Sequence, residues 1–199
     1  MKALFYFFFL GLLLSCEKVN FSYNDFTAEE IKLINAAGPN DTMRVLNYFV
    51  PHDSIILRSK SQNVLDFSSP TLKLLISRMY ATVISPAHPG VGIAAPQVGI
   101  LKRIIWVKRY DKQGKPFEAY LNPRILKYSD TLKQRPDGCL SIPGVSGTSW
   151  RAIWVEVEYY TQDGQKHVEK ITHEYTAHIF QHEIDHLDGI LWIDRINKP

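Results

Sequence analysis

Two histidines four residues apart, His182 and His186, constrain the fold of this chain more than any other feature. On an α-helix, residues four apart stack on one face, so both imidazoles could bind one metal ion. Glu183 lies beside them, where a carboxylate can move protons during metal-assisted hydrolysis. Burying these three side chains without partners would be costly, so the pattern indicates a catalytic site rather than core packing.

The composition places this helix within one domain. The chain has 199 residues, of which 45% are hydrophobic, and this is enough for a sizeable core. The net charge is only +3, and the lysines and arginines are scattered along the chain. We therefore expect no nucleic-acid partner, and we expect a monomer.

An apolar run follows Lys2 and ends at Leu13-Leu14-Ser15-Cys16. Its length suits the core of a signal peptide and is short for a membrane-spanning helix. The last four residues resemble a bacterial lipoprotein signal, in which cleavage precedes a lipidated cysteine. We expect a signal peptide at residues 1–16, a tether and N-terminal extension at 17–50, a catalytic domain at 51–199, and a lipid anchor in a bacterial envelope. The alternatives are an uncleaved anchor, or a hydrophobic start with no role in export, which would leave the protein in the cytoplasm.

The rest of the chain alternates strands and turns between helices. Thr27 predicts the start of a short helix, and apolar residues at helical spacing predict a longer helix over residues 72–83. Runs of β-branched and aromatic residues predict five strands, at residues 104–107, 119–121, 153–159, 167–172 and 190–193. The two histidines fall in a helix over residues 175–187. This succession predicts an α+β fold.

A catalytic metal site of this kind needs a third protein ligand and one open position for water. The simplest zinc endoproteases use a downstream glutamate, but the thirteen residues after His186 contain none. Cys139 is the better candidate. A lone cysteine is more often a small buried hydrophobic residue, but a two-histidine helix in the same chain favours the ligand interpretation.

Three motifs follow one another in the sequence: Gly90-Val91-Gly92-Ile93-Ala94-Ala95-Pro96-Gln97, then Asp137-Gly138-Cys139-Leu140-Ser141, then Gln181-His182-Glu183-Ile184-Asp185-His186-Leu187-Asp188-Gly189. Together they resemble the peptide deformylase family, over about residues 54–196. The resemblance implies small antiparallel sheets packed around a central metal-binding helix. It also implies a hydrolase of protein biosynthesis that removes the formyl group from N-formylmethionyl peptides.

The resemblance implies a role for each side chain of these motifs. Three ligands would hold one divalent metal ion: Cys139, His182 and His186. Glu183 would carry a proton from the attacking water to the leaving amine. Gln97 and the backbone N–H of Leu140 would stabilise the oxyanion that forms on the formyl group.

The resemblance also implies how the substrate and the metal are selected. The backbone around Val91 and Gly92 would pair with the peptide like an added strand. Arg151 would help to hold the peptide, or it would be an ordinary surface cation. The ligand set suits zinc, ferrous iron, nickel or cobalt. Ferrous iron is most typical of the family, whereas an oxygen-exposed location favours zinc or nickel.

Two departures from the family keep other functions open. Asp137 stands where the family has glutamate. Its side chain is one methylene shorter, so the sequence does not decide whether it supports the loop that carries Cys139. A lipoprotein of the envelope would not meet nascent chains in the cytosol. The alternatives are an exported deformylase-like amidase for other formylated or acylated peptides, and a catalytically silent metal-binding protein. His178, four residues before His182, would line the pocket or make a supporting hydrogen bond.

Overall fold

A computed structural model describes residues 25–87 and 89–197 of the chain. The described residues contain helices and strands in the following order: α1 (Ala28–Ile34), α2 (Pro51–Leu57), α3 (Pro70–Val83), β1 (Gly92–Ala94), a 3₁₀ helix (Ala95–Val98), β2 (Ile104–Lys108), β3 (Phe117–Tyr128), β4 (Leu132–Gly138), β5 (Ser146–Ala152), β6 (Val155–Tyr160), β7 (Lys166–Ile171), α4 (Glu174–Leu187) and a second 3₁₀ helix (Trp192–Arg195). The predicted α+β class is therefore confirmed.

The strands form two antiparallel sheets. Five strands make the larger sheet in the order β1-β2-β3-β6-β7, and β4 and β5 make a separate hairpin. Strand β1 is an edge of the larger sheet, where Gly92 lies opposite Val107 of β2. An edge strand has backbone groups that are free to bind another extended chain.

Helix α4 occupies the centre of the fold. Its first turn is capped by His173, whose Nδ1 accepts a hydrogen bond from the backbone N–H of Thr176 at 3.2 Å. Every residue from Thr176 to Leu187 is buried, because α4 packs against strands of both sheets. Polar side chains on such a helix need partners inside the protein.

Helix α1 begins at the predicted cap. Thr27 Oγ1 accepts a hydrogen bond from the backbone N–H of Glu30 at 3.2 Å, and Glu30 Oε2 accepts one from the backbone N–H of Thr27 at 2.9 Å. Arg78 of α3 donates to the carbonyl oxygens of Leu33 and Ile34, both at 2.9 Å. These bonds satisfy carbonyl groups at the end of α1 and join α1 to α3.

Two strand predictions need correction, and some strands were not predicted. The strand predicted at residues 190–193 is wrong, since Asp194 Oδ2 accepts a hydrogen bond from the backbone N–H of Leu191 at 2.8 Å and a 3₁₀ helix begins there. Strand β3 continues well beyond residue 121, past Asn122 with its positive φ of 50°. Strands β4 and β5 were not predicted, because their glycine, serine and charged residues lack the composition of a strand.

The chain before residue 51 packs against the rest of the fold from Asp25 onward. The predicted signal peptide, its Cys16 and residues 17–24 lie outside the described residues. The backbone N–H of Leu46 donates to the carbonyl oxygen of Gln97 at 2.7 Å. Among the described residues, no helix combines the length and apolar character needed to cross a membrane.

Candidate active site

The three predicted metal ligands come together at one point. The ligand atoms of Cys139, His182 and His186 all lie within 4.8 Å of one another. One turn of α4 places the two imidazoles on the same face, edge to face, with ring centroids 5.0 Å apart. Cys139 follows the end of β4, and its Sγ lies 3.2 Å from Nε2 of His186. The tertiary fold thus brings a thiol from a loop to the two-histidine face of α4.

This donor set fits a divalent transition metal. Such ions prefer thiolate and imidazole ligands, and three protein ligands leave a position for water or substrate. Nδ1 of His182 lies 2.9 Å from Oδ1 of Asp137, which leaves Nε2 available to an ion. Burial lowers the pKa of His186 well below its usual range, so its imidazole is neutral, as metal ligation requires.

Asp137 links the ligand His182 to two supporting side chains, His178 and Ser149. Its Oδ2 accepts a hydrogen bond from Ser149 Oγ at 2.6 Å and lies 3.2 Å from Nε2 of His178, so the predicted supporting contact of His178 is confirmed. Burial opposes the charged form of Asp137, but hydrogen bonds with His178 and His182 hold its pKa well below the usual range. Burial alone would lower the pKa of His182, whereas its hydrogen bonds to Asp137 and Cys139 raise it. The shorter carboxylate therefore still connects β4 with α4.

Glu183 lies on the same turn of α4 as the histidines. Its Oε2 is buried and has no hydrogen-bond partner among the described residues. Burial is the main cause that raises the pKa of Glu183 to about 7. A carboxyl group with such a pKa can accept and release a proton near neutral pH.

Gln97 points its amide toward the same cluster. Its Oε1 accepts a hydrogen bond from the backbone N–H of Ala94 at 2.9 Å, which fixes the orientation of the side chain. Its Nε2 then lies 3.4 Å from Sγ of Cys139 and 3.3 Å from Oγ of Ser141. The amide thus presents N–H groups beside the three ligands, where an oxyanion could be stabilised.

A cavity of about 700 Å³ opens in front of this cluster. Most of the predicted site residues line it: Val91, Gly92, Gln97, Cys139, Leu140, His182 and Glu183. Tyr175 and Ile179 of α4 and residues 146–148 of β5 also line it. The cavity can therefore hold more than a formyl group, and a short peptide can extend along it.

Of the two predicted substrate-binding residues at the start of β1, only Gly92 has its backbone groups free for a substrate. The carbonyl oxygen of Val91 accepts a hydrogen bond from the backbone N–H of Lys108 at 2.8 Å, so it is occupied within the sheet. Successive residues of a strand direct their backbone groups to opposite edges. The N–H and C=O of Gly92 consequently face the open edge of β1, on the cavity side.

Arg151 lies behind the site. It is 4% exposed, so the alternative of a surface cation is wrong. Its guanidinium contacts Asp185 of α4 and lies 3.4 Å from Oδ2 of Asp137. Arg151 is not among the residues that line the cavity. It contacts Asp137 and α4 without lining the cavity.

Two supporting residues escaped the sequence analysis. Ser149 donates to Asp137, and Asp185 pairs with Arg151. Asp185 lies three residues after His182 on the same helix, and this spacing could have indicated that the two side chains are neighbours. Ser149 carried no signal, because its strand resembles a loop.

Comparison with known proteins agrees with this geometry. The family model described as polypeptide deformylase matches residues 45–199. A peptide deformylase from Symbiobacterium thermophilum is 43% identical over 143 residues, a match that covers 70% of this chain and 62% of that protein. A peptide deformylase from Finegoldia magna is 38% identical over 141 residues, covering 71% of this chain and 83% of that protein.

A solved structure shares the fold as well as the sequence. It is a class I type b peptide deformylase from Acinetobacter baumannii with Met-Ala-Ser bound. The two chains superpose with a TM-score of 0.69 at 34% identity, covering 79% of this chain and 99% of that one.

Proposed function

The chain belongs to the polypeptide deformylase family, and on that premise we propose that it removes the formyl group from N-formylmethionyl peptides by metal-dependent hydrolysis. The observation that carries this proposal is the cluster of Cys139, His182 and His186 beside a cavity that Glu183 and Gln97 line. Together these residues provide a set of metal ligands, a proton carrier and an amide donor at one point.

We propose that Cys139, His182 and His186 hold the single divalent metal ion that peptide deformylases use. When bound, such an ion polarises the formyl carbonyl and lowers the pKa of water. Ferrous iron, zinc and nickel all suit a thiolate with two imidazoles. Zinc or nickel is our proposal for an oxygen-exposed location, because ferrous iron with a thiolate ligand is easily oxidised there.

Glu183 is the proposed proton carrier. Its buried carboxylate takes a proton from the attacking water, and the oxygen of this water bonds to the formyl carbon. The bond between the formyl carbon and the peptide nitrogen then breaks, and Glu183 passes its proton to that nitrogen. A pKa of about 7 suits both transfers near neutral pH.

Gln97 and the backbone N–H of Leu140 are the proposed oxyanion donors. The amide of Gln97 is 2% exposed and held by Ala94, so its position is set before the substrate arrives. Such preorganised donors stabilise developing negative charge more than water does.

The substrate peptide is proposed to extend β1. Gly92 offers its backbone N–H and C=O at the open edge, while Val91 lines the cavity. The relative from Acinetobacter baumannii was solved with Met-Ala-Ser, a tripeptide that begins with methionine. For Arg151 we propose a positioning role through Asp137 rather than contact with the peptide.

We also propose that the chain is a monomeric lipoprotein of a bacterial envelope, anchored through Cys16. The support is the apolar run that ends in Leu13-Leu14-Ser15-Cys16. Globomycin should block processing of the precursor, and the mature chain should stay with membranes after cell fractionation. A chain that stays in the soluble fraction, and whose size globomycin does not change, would indicate a cytoplasmic enzyme.

A deformylation assay tests the proposed activity. The purified chain, loaded separately with ferrous iron, zinc and nickel, should release formate from formyl-Met-Ala-Ser and should leave acetyl-Met-Ala-Ser intact. Equal cleavage of both peptides would favour an amidase of broader substrate range. No turnover with any metal would favour a binding protein.

A further inference from the structure

The segment from Asp25 to Arg44 lies outside the family match, which begins at residue 45. It nevertheless packs on the loop that follows Gln97, one of the proposed oxyanion donors. The centre of this contact is α1, which lies against residues 98–102. The same loop leads directly out of the 3₁₀ helix that carries Gln97.

Polar contacts join α1 to this loop. Oε1 of Glu30 accepts a hydrogen bond from the backbone N–H of Leu101 at 2.9 Å, while its Oε2 caps α1 at Thr27. One carboxylate therefore fixes the start of the helix and the loop together. Just before α1, Oδ1 of Asp25 lies 3.3 Å from Nζ of Lys102, and both side chains are buried.

Apolar contacts follow the same path. A Cβ atom at Gly99 would lie 3.2 Å from Cδ2 of Leu33, so the helix and the loop are in close contact. Gly99 has a φ of 84°, and it ends the 3₁₀ helix of Gln97. Ile34 of α1 lies in one core cluster with Val98 and Ile100.

The position of Gln97 matters because an oxyanion donor acts only at the correct distance. Gln97 is held by Ala94 and Ser141 through its side chain, by Leu46 through its carbonyl oxygen, and by the loop after Val98. This loop is held by α1 and also by Gln62, which donates a backbone hydrogen bond to Leu101 at 2.9 Å and accepts one from Arg103 at 2.8 Å.

We propose that α1 positions Gln97 through the loop that follows it, and that Glu30 makes the principal contact between α1 and this loop. This inference rests on the proposed deformylase function, in which Gln97 stabilises the transition state. Glu30 acts through Gln97 and touches neither the substrate nor the metal ligands. Its loss should therefore lower kcat and leave KM nearly unchanged.

A double-mutant cycle in the full chain tests this role. Glu30→Ala should lower kcat about threefold to tenfold, the range expected when its hydrogen bond to the loop is lost. In a Gln97→Ala background the same change should have almost no further effect, because the group that Glu30 positions is gone. Glu30→Gln keeps an oxygen for the N–H of Leu101 and should restore most of the rate. Glu29→Ala is the matched control, an exposed carboxylate on the same turn of α1.

Two further measurements separate positioning from general destabilisation. Thermal unfolding of every variant shows whether it is fully folded at the temperature of the assay, so that a rate measured on partly unfolded protein is recognised. Hydrogen exchange of the peptide covering residues 94–101 should be faster in Glu30→Ala than in Glu29→Ala. Equal exchange, or rate losses that add fully in the Gln97→Ala background, would overturn the proposal. If the wild-type chain shows no deformylation, the proposed function fails, and the exchange comparison still decides whether α1 holds the loop.

Discussion

At the scale of single residues, the site depends on side chains whose protonation is set by burial. Glu183 and His186 are adjacent on one helix face, yet burial raises the pKa of the first and lowers the pKa of the second. Both shifts favour the neutral form, since burial always disfavours charge. The result is a proton acceptor near neutral pH beside a neutral ligand.

Removing the carboxylate should separate catalysis from metal binding. We expect Glu183→Ala to retain the metal ion, because all three ligands survive. Its kcat should fall at least about 100-fold, since the group proposed to carry the proton is gone. Elemental analysis of the purified variant and the formate assay together check this. Loss of the metal in this variant would indicate that Glu183 mainly supports the structure of the site.

Removing the thiol should have the opposite consequence. We expect Cys139→Ala to lose tight metal binding, because two imidazoles alone make an incomplete set. A chelator competition assay measures the change in affinity. Cys139 is partly exposed, and its replacement removes one sulfur, so the thermal stability of the metal-free chain should change little. An unchanged metal content would exclude Cys139 from the site.

At the scale of elements, the site forms where β1 crosses α4. The two elements approach closely at residue 92, where an added Cβ would lie 2.5 Å from Oε1 of Glu183 and would force that side chain to move. The glycine of the first motif therefore serves the proton carrier as well as the proposed peptide contact. Sequence analysis assigned it only the second role.

Replacing this glycine should displace the proton carrier without unfolding the chain. We expect Gly92→Ala to lower kcat at least about tenfold, because the methyl group occupies the space of the carboxylate. Gly138→Ala is the comparison, since a Cβ there meets no atom within 4 Å, and it should keep more of the activity. Formate release and circular dichroism of both variants provide the check. An unchanged rate in Gly92→Ala would mean that the contact with Glu183 is easily relieved.

At the scale of the whole molecule, the segment before the family match is part of the folded body. Phe26, Ile34 and Met43 are buried in the same core cluster as residues of α3 and β2. The pair of Asp25 and Lys102 joins the start of this segment to the loop after Gln97. Two buried charges are stable there only as partners.

Breaking this pair should destabilise the fold. We expect Asp25→Ala to lower the free energy of unfolding by about 3–5 kcal/mol, because it leaves the buried ammonium of Lys102 without its carboxylate partner. Asp25 also accepts hydrogen bonds from the backbone N–H groups of Leu65 and Asp66, at 2.6 and 2.9 Å. Asp25→Asn keeps an oxygen acceptor for them and should lose less. Urea unfolding measures both, and a loss below about 1 kcal/mol for Asp25→Ala would mean that Lys102 reaches water.

Predictions from the sequence succeeded where one local pattern decides the structure. The helices at α1, α3 and α4 follow from a cap or from helical spacing, and strands β2, β6 and β7 follow from their β-branched and aromatic residues. Strands β4 and β5 failed this test, because they are stabilised by pairing with each other rather than by composition. The strand predicted at residues 190–193 failed because a side-chain cap at Asp194 determined the backbone instead.

The sequence by itself determined the reacting groups of this protein: a histidine pair with a glutamate on one helix face, a lone thiol and a glutamine, in the order of the deformylase motifs. Only the tertiary structure decided how they act together. It brings Cys139 to α4, places Gly92 against Glu183, buries Arg151 behind Asp137 and holds the loop of Gln97 against α1. The physical reason is that residue type and spacing specify local geometry and chemistry, whereas burial and contacts between distant segments arise only when the whole chain packs.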